Sequence, residues 1–150
     1  MPDESAGPAP RQEVRDLEEM WTALLACGWN LLAVVPTDHG ISVQPVVDAL
    51  RATSGAANPP VSCIDARGAD IAEAKRLAEE LAAAISRKSR AVVVVDSLMG
   101  SLSGVHLVQG ANSVLLVVRI GGMDLDSLTG TVAIVGSERV VGSVTAPVGP

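Results

Sequence analysis

The 150-residue sequence predicts a doubly wound α/β domain with a mostly parallel, five-stranded sheet and helices on both faces. Strand-length apolar runs alternate along the chain with stretches of helical periodicity. Most of these runs are apolar throughout, which is typical of strands covered on both faces. A hydrophobic content of 48% is enough for one core. We expect one domain over 11–147, with tails at 1–10 and 148–150.

The first predicted elements are a tail, a helix and a strand. Residues 1–10 are polar and proline-rich, which predicts disorder. From Arg11, apolar residues at helical spacing predict an amphipathic helix that ends near Gly28. These residues are Val14, Leu17, Met20, Trp21, Leu24 and Leu25. The run LLAVV then predicts the first strand over 31–35.

Two helix–strand units follow this strand. Apolar residues at helical spacing over 43–50 predict a short helix that stops at Ser54–Gly55. Pro45 is tolerated in its first turn because amides there have no intrahelical partner. Residues 61–64 predict a second strand. The clearest helical stripe covers 70–85, where an aspartate and a glutamate three positions later resemble a capping pair. The run AVVVV predicts a third strand over 91–95.

The C-terminal third carries weaker signals. A short helix is predicted within 97–109, and a fourth strand over 114–118. A last helix is expected over 124–132, although an internal Gly–Thr pair weakens it and leaves a strand over 131–135 as an alternative. A fifth strand is predicted over 139–144.

The composition excludes several classes of protein. A formal net charge of −6 argues against nucleic-acid binding, which needs clustered lysine and arginine. The absence of tyrosine excludes any mechanism that requires one. The first residues lack the pattern of a signal peptide, and no apolar run approaches the roughly 20 residues of a membrane helix. We therefore expect a cytoplasmic protein that is not inserted into a membrane.

The cysteines and histidines do not predict a metal site. Cys27 and Cys63 are isolated, without a second cysteine at the short spacing of a redox or zinc motif. With His39 and His106 they would make four ligands, but their spacing does not support such a site. We expect buried structural cysteines, and neither a metal nor a cofactor.

The C-terminal part of the chain resembles a known family. Residues 110–147, GANSVLLVVRIGGMDLDSLTGTVAIVGSERVVGSVTAP, are similar to the second half of the ATPase domain in bacterial tyrosine kinases and polysaccharide chain-length regulators. This domain belongs to the MinD/ParA group of deviant P-loop ATPases. The N-terminal helix and the strand AVVVVD occupy corresponding places, so the resemblance in element order extends over 11–147. It implies the strand order 2-3-1-4-5 and a site at the carboxyl ends of the strands.

The stretch VVPTDHGISV stands where this family has its phosphate loop, GxxGxGK followed by serine or threonine. On that pattern Ile41 replaces the lysine, whereas Gly40 and Ser42 match the preceding glycine and the magnesium-binding hydroxyl. Thr37, Asp38 and His39 replace the glycine-rich part of the pattern, and Asp38 adds negative charge where phosphates would lie. We expect no ATP binding in the manner of the family.

Two further loops match the family in part. In SCIDARG, Asp65 and Arg67 keep an acid and a base of the family's Asp-x-Asp-x-Arg motif, but an ordinary salt bridge in a helix-entry loop is the favoured interpretation. In VVVVDSLMG, Asp96 matches the acid that holds the magnesium water shell, while Leu98 and Met99 replace two prolines. An acid at the end of a buried strand is common in any doubly wound fold.

The favoured function is a non-catalytic pseudo-ATPase that acts as a protein-interaction or assembly module. We expect self-association into a homo-oligomer, because an unused ligand crevice rich in valine and leucine is a surface that a second chain can cover. The resemblance implies a membrane-anchored partner in a polysaccharide export, polar-localisation or secretion machine. We do not expect an enzyme, because Ile41 stands at the position of the family's lysine and cannot supply its positive charge.

Two alternatives stay open. One is a nucleotide sensor or an enzyme with a remodelled site, in which His39 with Asp65 or Asp96 would act as a base and its orienter. The polar residues of that site would be Asp38, His39, Ser42, Asp65 and Asp96. The other is a receiver-like signalling domain that is phosphorylated on Asp96, which the absence of any lysine after Lys88 disfavours.

Overall fold

The protein alternates strands and helices along the chain. The computed structural model describes Trp21 and residues 29–56, 61–87, 89–99, 102–119 and 125–146. The strands are β1 (Leu31–Pro36), β2 (Ser62–Asp65), β3 (Ala91–Val94), β4 (Ser113–Arg119) and β5 (Val140–Ala146). The helices are α1 (Gln44–Ala56), α2 (Ile71–Ser86), α3 (Leu102–Gln109) and α4 (Leu125–Val135), and a 3-10 turn, Ser137–Arg139, precedes β5.

The five strands form one parallel sheet in the order β2-β3-β1-β4-β5. This confirms both the predicted fold class and the predicted strand order. Receiver-like domains of the flavodoxin type have the order 2-1-3-4-5, so the receiver-like alternative is wrong. β1 lies at the centre of the sheet, between β3 and β4, and the carboxyl ends of these strands share one edge.

Two hydrophobic clusters cover the two faces of the sheet. Alternate residues of β1, such as Leu32 and Val34, pack toward α1, in a cluster that also contains Trp21. The intervening residues, such as Ala33 and Val35, pack toward the other three helices. This division follows from the right-handed connections between parallel strands. α1 leads from β1 to β2 and lies on one face. The other three helices connect strands in the opposite direction across the sheet and lie on the other face. Because both faces are covered, the strand sequences are continuously apolar.

The predicted N-terminal helix is described at one position. Trp21 is helical and 3% exposed, and its ring meets that of Trp29 edge-on with centroids 5.9 Å apart. The rest of that helix and the tails predicted at 1–10 and 148–150 lie outside the described residues. In the described part of the chain, no helix has the length and apolarity needed to span a membrane.

Side-chain contacts account for the start of α2 and for a glycine within α4. The Asp70 side chain accepts a hydrogen bond from the amide of Glu73 at 2.8 Å, which confirms the predicted cap of α2. Residues 131–135 belong to α4, so the alternative strand there is wrong. A Cβ on Gly130 would lie 2.8 Å from Sδ of Met99, so glycine at this position lets the loop after β3 pack against α4.

Cys63 packs against the core but is only half-buried, so the prediction of a buried cysteine is only partly correct for this residue. Burial raises the pKa of its thiol, which keeps it protonated and unreactive near neutral pH. Cys27 lies outside the described residues.

Candidate functional site

A small cavity lies at the carboxyl ends of the central strands. Its volume is about 200 Å³, below the range of about 300–1,000 Å³ that is usual for small-molecule pockets. This edge of the sheet is where open α/β folds bind their ligands. The cavity is lined by Pro36, Asp38, His39, Ile41, Val43, Arg67, Asp96 and Ser97.

The loop between β1 and α1 is fixed to the neighbouring strand β4. The amide and the hydroxyl of Thr37 both donate to the carbonyl of Val117, at 3.0 and 3.3 Å. Within the loop, the amide of Gly40 donates to Oδ1 of Asp38 at 3.3 Å. The loop is therefore held from two sides, by β4 and by its own aspartate.

Asp38 forms an ion pair with Arg119, the last residue of β4, through Oδ2 and Nη2. The two side chains are 16% and 33% exposed, so the pair is largely withdrawn from solvent. Sequence reasoning did not identify Arg119 as a site residue. The register of β1 and β4 would have indicated it. Pro36 pairs with Val117, and Asp38 and Arg119 each stand two positions after that pair.

The positions that match the family's phosphate loop have different surroundings here. Ile41 is 8% exposed and belongs to the hydrophobic cluster beneath α1. Ser42 is half-buried, lies two residues before α1, and does not line the cavity. Gly40 directs its amide to Asp38. The loop thus uses its own carboxylate where the family pattern would place phosphate oxygens.

The loop between β2 and α2 contains the predicted salt bridge. Nε and Nη2 of Arg67 contact the two carboxylate oxygens of Asp65 at 2.9 and 2.8 Å, and Nη2 also donates to Oε1 of Gln44 at 2.7 Å. The hydrogen bonds from Arg67 lower the pKa of Asp65, and the same contact raises the pKa of Arg67. Both side chains are therefore charged near neutral pH and neutralise each other.

The loop after β3 joins the β2 loop through an aspartate. Oδ2 of Asp96 accepts the amide of Gly68 at 2.6 Å, although Asp96 itself is exposed. Its neighbour Ser97 is 4% exposed, and its hydroxyl has no hydrogen-bond partner among the described residues. Ser97 was not singled out from the sequence, because a serine in a loop carries no signal of burial.

The cavity unites only part of the predicted remodelled site. Asp38, His39 and Asp96 line it, whereas Ser42 and Asp65 do not. Asp65 is bound by Arg67 and Asp96 by Gly68. Within the residues that the structure describes, no hydrogen bond links His39 to either aspartate, and no cluster of three or more His, Cys, Asp or Glu side chains could hold a metal ion.

Comparison with known proteins leaves the chain without a family assignment. No protein-family model matches the sequence, and no curated protein matches it significantly. The resemblance to the MinD/ParA group therefore stays a prediction.

Proposed function

We propose that this chain is a non-catalytic α/β domain that acts as a protein-interaction or assembly module and does not use ATP. The observation that carries this proposal is the Asp38–Arg119 ion pair in the loop after β1. A nucleotide's phosphates at this loop would meet the carboxylate of Asp38, which already holds the guanidinium of Arg119. Ile41, in the core, contributes no positive charge.

An exposed apolar rim supports an interaction role. It consists of Ile71, Met99, Leu102 and Leu125, which are 49%, 38%, 78% and 67% exposed. Three of these residues begin helices α2, α3 and α4, and Met99 lies in the loop before α3. Helices of a parallel α/β fold begin at the carboxyl edge of the sheet, so the rim lies at the same edge as the cavity.

Contacts between neighbouring elements hold the rim together. The hydroxyl of Ser103 donates to the carbonyl of Ala69 at 2.8 Å, which joins the beginnings of α2 and α3. Met99 packs against α4 at Gly130. Grouped apolar side chains on a surface commonly mark sites of protein contact. The proposed partner is a second copy of the chain or a membrane-anchored assembly component, as in the export, polar-localisation or secretion machines that the resemblance suggests.

Nucleotide titration tests the first half of this proposal. The purified protein is expected to hydrolyse no ATP and to show no rise in melting temperature with ATP or ADP and magnesium. A magnesium-dependent stabilisation that is lost in both Ser42→Ala and Asp96→Ala would contradict it.

Light scattering tests the second half. If the rim mediates self-association, the wild-type protein has a mass above that of the 15.3 kDa chain, and Leu102→Asp with Leu125→Asp reduces it. Ala82→Asp, on an exposed position of α2 away from its first turn, is the matched control and leaves the mass unchanged. A monomeric wild type would restrict the proposal to a different partner protein, and an unchanged mass in the double variant would remove the rim from it.

A second candidate function has one observation in its favour. Asp38, His39 and Asp96 line the same cavity, as a small-molecule sensor or an enzyme with a remodelled site would require. Such a function predicts that a nucleotide or related metabolite shifts the NMR signals of the His39 ring. Binding would be abolished by Asp96→Asn and kept in Ser42→Ala, because Ser42 does not line the cavity.

A further inference from the structure

We propose that the loop after β1 and Arg119 together form an oxyanion-binding site, and that the carboxylate of Asp38 is its internal ligand. The proposal concerns the chemistry of the loop and does not depend on the assembly role of the rim. The site takes a carboxylate or phosphate group, and in the wild-type protein that group is the carboxylate of Asp38 itself.

The contacts of Asp38 are those of a bound anion. Oδ1 accepts the backbone amide of Gly40 at 3.3 Å, and Oδ2 accepts Nη2 of Arg119. A backbone amide and a guanidinium that approach from different directions are the donors with which proteins commonly bind free carboxylates and phosphates. In this chain the anion is covalently part of the loop.

The position of Arg119 follows from the packing of β1 against β4. The parallel pairing ends at Pro36 and Val117, and Asp38 and Arg119 each stand two positions beyond that pair. Nη2 of Arg119 lies 3.7 Å from the point that a Cβ of Gly40 would occupy. The guanidinium is therefore adjacent to the loop backbone, and β4 supplies the positive charge that Ile41 does not.

The guanidinium has unused binding capacity. Nε of Arg119 is buried and has no hydrogen-bond partner in the described part of the chain. Carboxylates and phosphates commonly take two parallel hydrogen bonds from one arginine. A free oxyanion that replaced the Asp38 carboxylate would be able to contact Nε as well as Nη2. With Asp38 in place, its charge repels such an anion and holds the donor that the anion would need.

Chemical rescue of Asp38→Ala tests this inference. The variant removes the internal carboxylate and leaves space beside Arg119. Acetate and inorganic phosphate, each compared with chloride at matched ionic strength, are expected to raise the melting temperature of the variant in a saturable manner. The wild-type protein is expected to show no anion-specific rise. Acetate tests a carboxylate ligand, and phosphate tests a tetrahedral one.

Two controls assign the effect to the site. Asp38→Ala combined with Arg119→Gln is expected to bind acetate at least about tenfold more weakly, because the charged donor is gone. Glu79→Ala removes one exposed negative charge on α2 and is expected to give no rescue, which separates local binding from a change of net charge.

The inference is overturned if neither anion stabilises Asp38→Ala more than chloride does, or if the double variant is rescued equally well. Should Asp38→Ala be unfolded in chloride, the same comparison is made by refolding it, and Asp38→Ser, in acetate. Refolding in acetate alone supports the site, and failure in every anion refutes it. The mass measured by light scattering tests the rim separately, so the two proposals fail independently.

Discussion

At the carboxyl ends of β1 and β2 an aspartate pairs with an arginine and is followed by a glycine, but the two pairs connect different parts of the chain. Asp65 and Arg67 are two residues apart, and their bridge reaches α1 through the hydrogen bond from Arg67 to Gln44 and a 3.9 Å contact between Asp65 and Arg51. Asp38 and Arg119 are 81 residues apart and join the ends of two adjacent strands. The first pair orients the side chain of Arg67, whereas the second holds the loop after β1 against β4.

This difference predicts which loop is more sensitive to change. A local pair costs little conformational entropy, because its partners are already close in the unfolded chain. A long-range pair forms only after β1 and β4 have aligned, so it contributes to the folded arrangement of those strands. Side-chain loss in the β1 loop should therefore affect stability more than the equivalent loss in the β2 loop.

The largest effect is expected from Ile41→Lys, which restores the lysine of the family pattern. The change removes a side chain that is 8% exposed and places a charge against the core, and we expect a loss of about 2–3 kcal/mol in the free energy of unfolding. Urea denaturation measures this loss, and Ser42→Lys at the half-buried neighbour is the control with a smaller loss. A stable variant that binds ATP would show instead that the loop still fits a nucleotide.

Asp38→Ala is expected to cost about 1–2 kcal/mol, because Arg119 would keep no carboxylate partner in a site that is only one-third exposed. Asp65→Ala should cost less, since Arg67 retains its hydrogen bond to Gln44. Urea denaturation of both variants in chloride buffer tests the comparison directly. Equal losses would mean that the long-range pair has no special role in holding the β1 loop.

The two glycines should respond in opposite directions. Gly68 has φ of 79°, and a Cβ in this conformation costs about 1–2 kcal/mol, so Gly68→Ala is expected to destabilise the protein. Gly40 has no such φ, and its added Cβ would meet Arg119 at an ordinary 3.7 Å. Gly40→Ala is therefore expected to be neutral or to stabilise by up to about 1 kcal/mol, because it restricts the unfolded chain. Thermal melting of both variants decides this, and a large loss in Gly40→Ala would contradict the observed conformation.

The smallest expected effect is a change of protein stability with pH. Since Arg67 lowers the pKa of Asp65 in the folded protein, the stability that this ionisation contributes is complete above the unfolded pKa of about 3.9. It is lost as the pH falls through the lower, folded pKa. Asp65→Asn should therefore be less stable than wild type at about pH 6, with a difference that shrinks toward pH 3. A difference that is constant with pH would show that the ion pair contributes nothing through ionisation.

Much of the fold could be predicted because its signals are local. The apolar runs, the helical stripe of α2 and the Asp70 cap each depend on residues within a few positions of one another. The Asp65–Arg67 bridge was predictable for the same reason. The contact between Gly130 and Met99 was not, because Met99 lies in the loop after β3, far from Gly130 in the chain.

The sequence by itself determined the alternation of strands and helices, the apolar strands and the loss of the phosphate-loop lysine, because backbone stereochemistry imposes fixed periods on neighbouring residues. Only the tertiary structure decided that Arg119 meets Asp38, that Gly68 meets Asp96 and that Ser97 is buried. These contacts join residues far apart in the chain and depend on strand order and register. A shift of one residue between β1 and β4 would direct Arg119 to the opposite face of the sheet, away from the loop that it now holds.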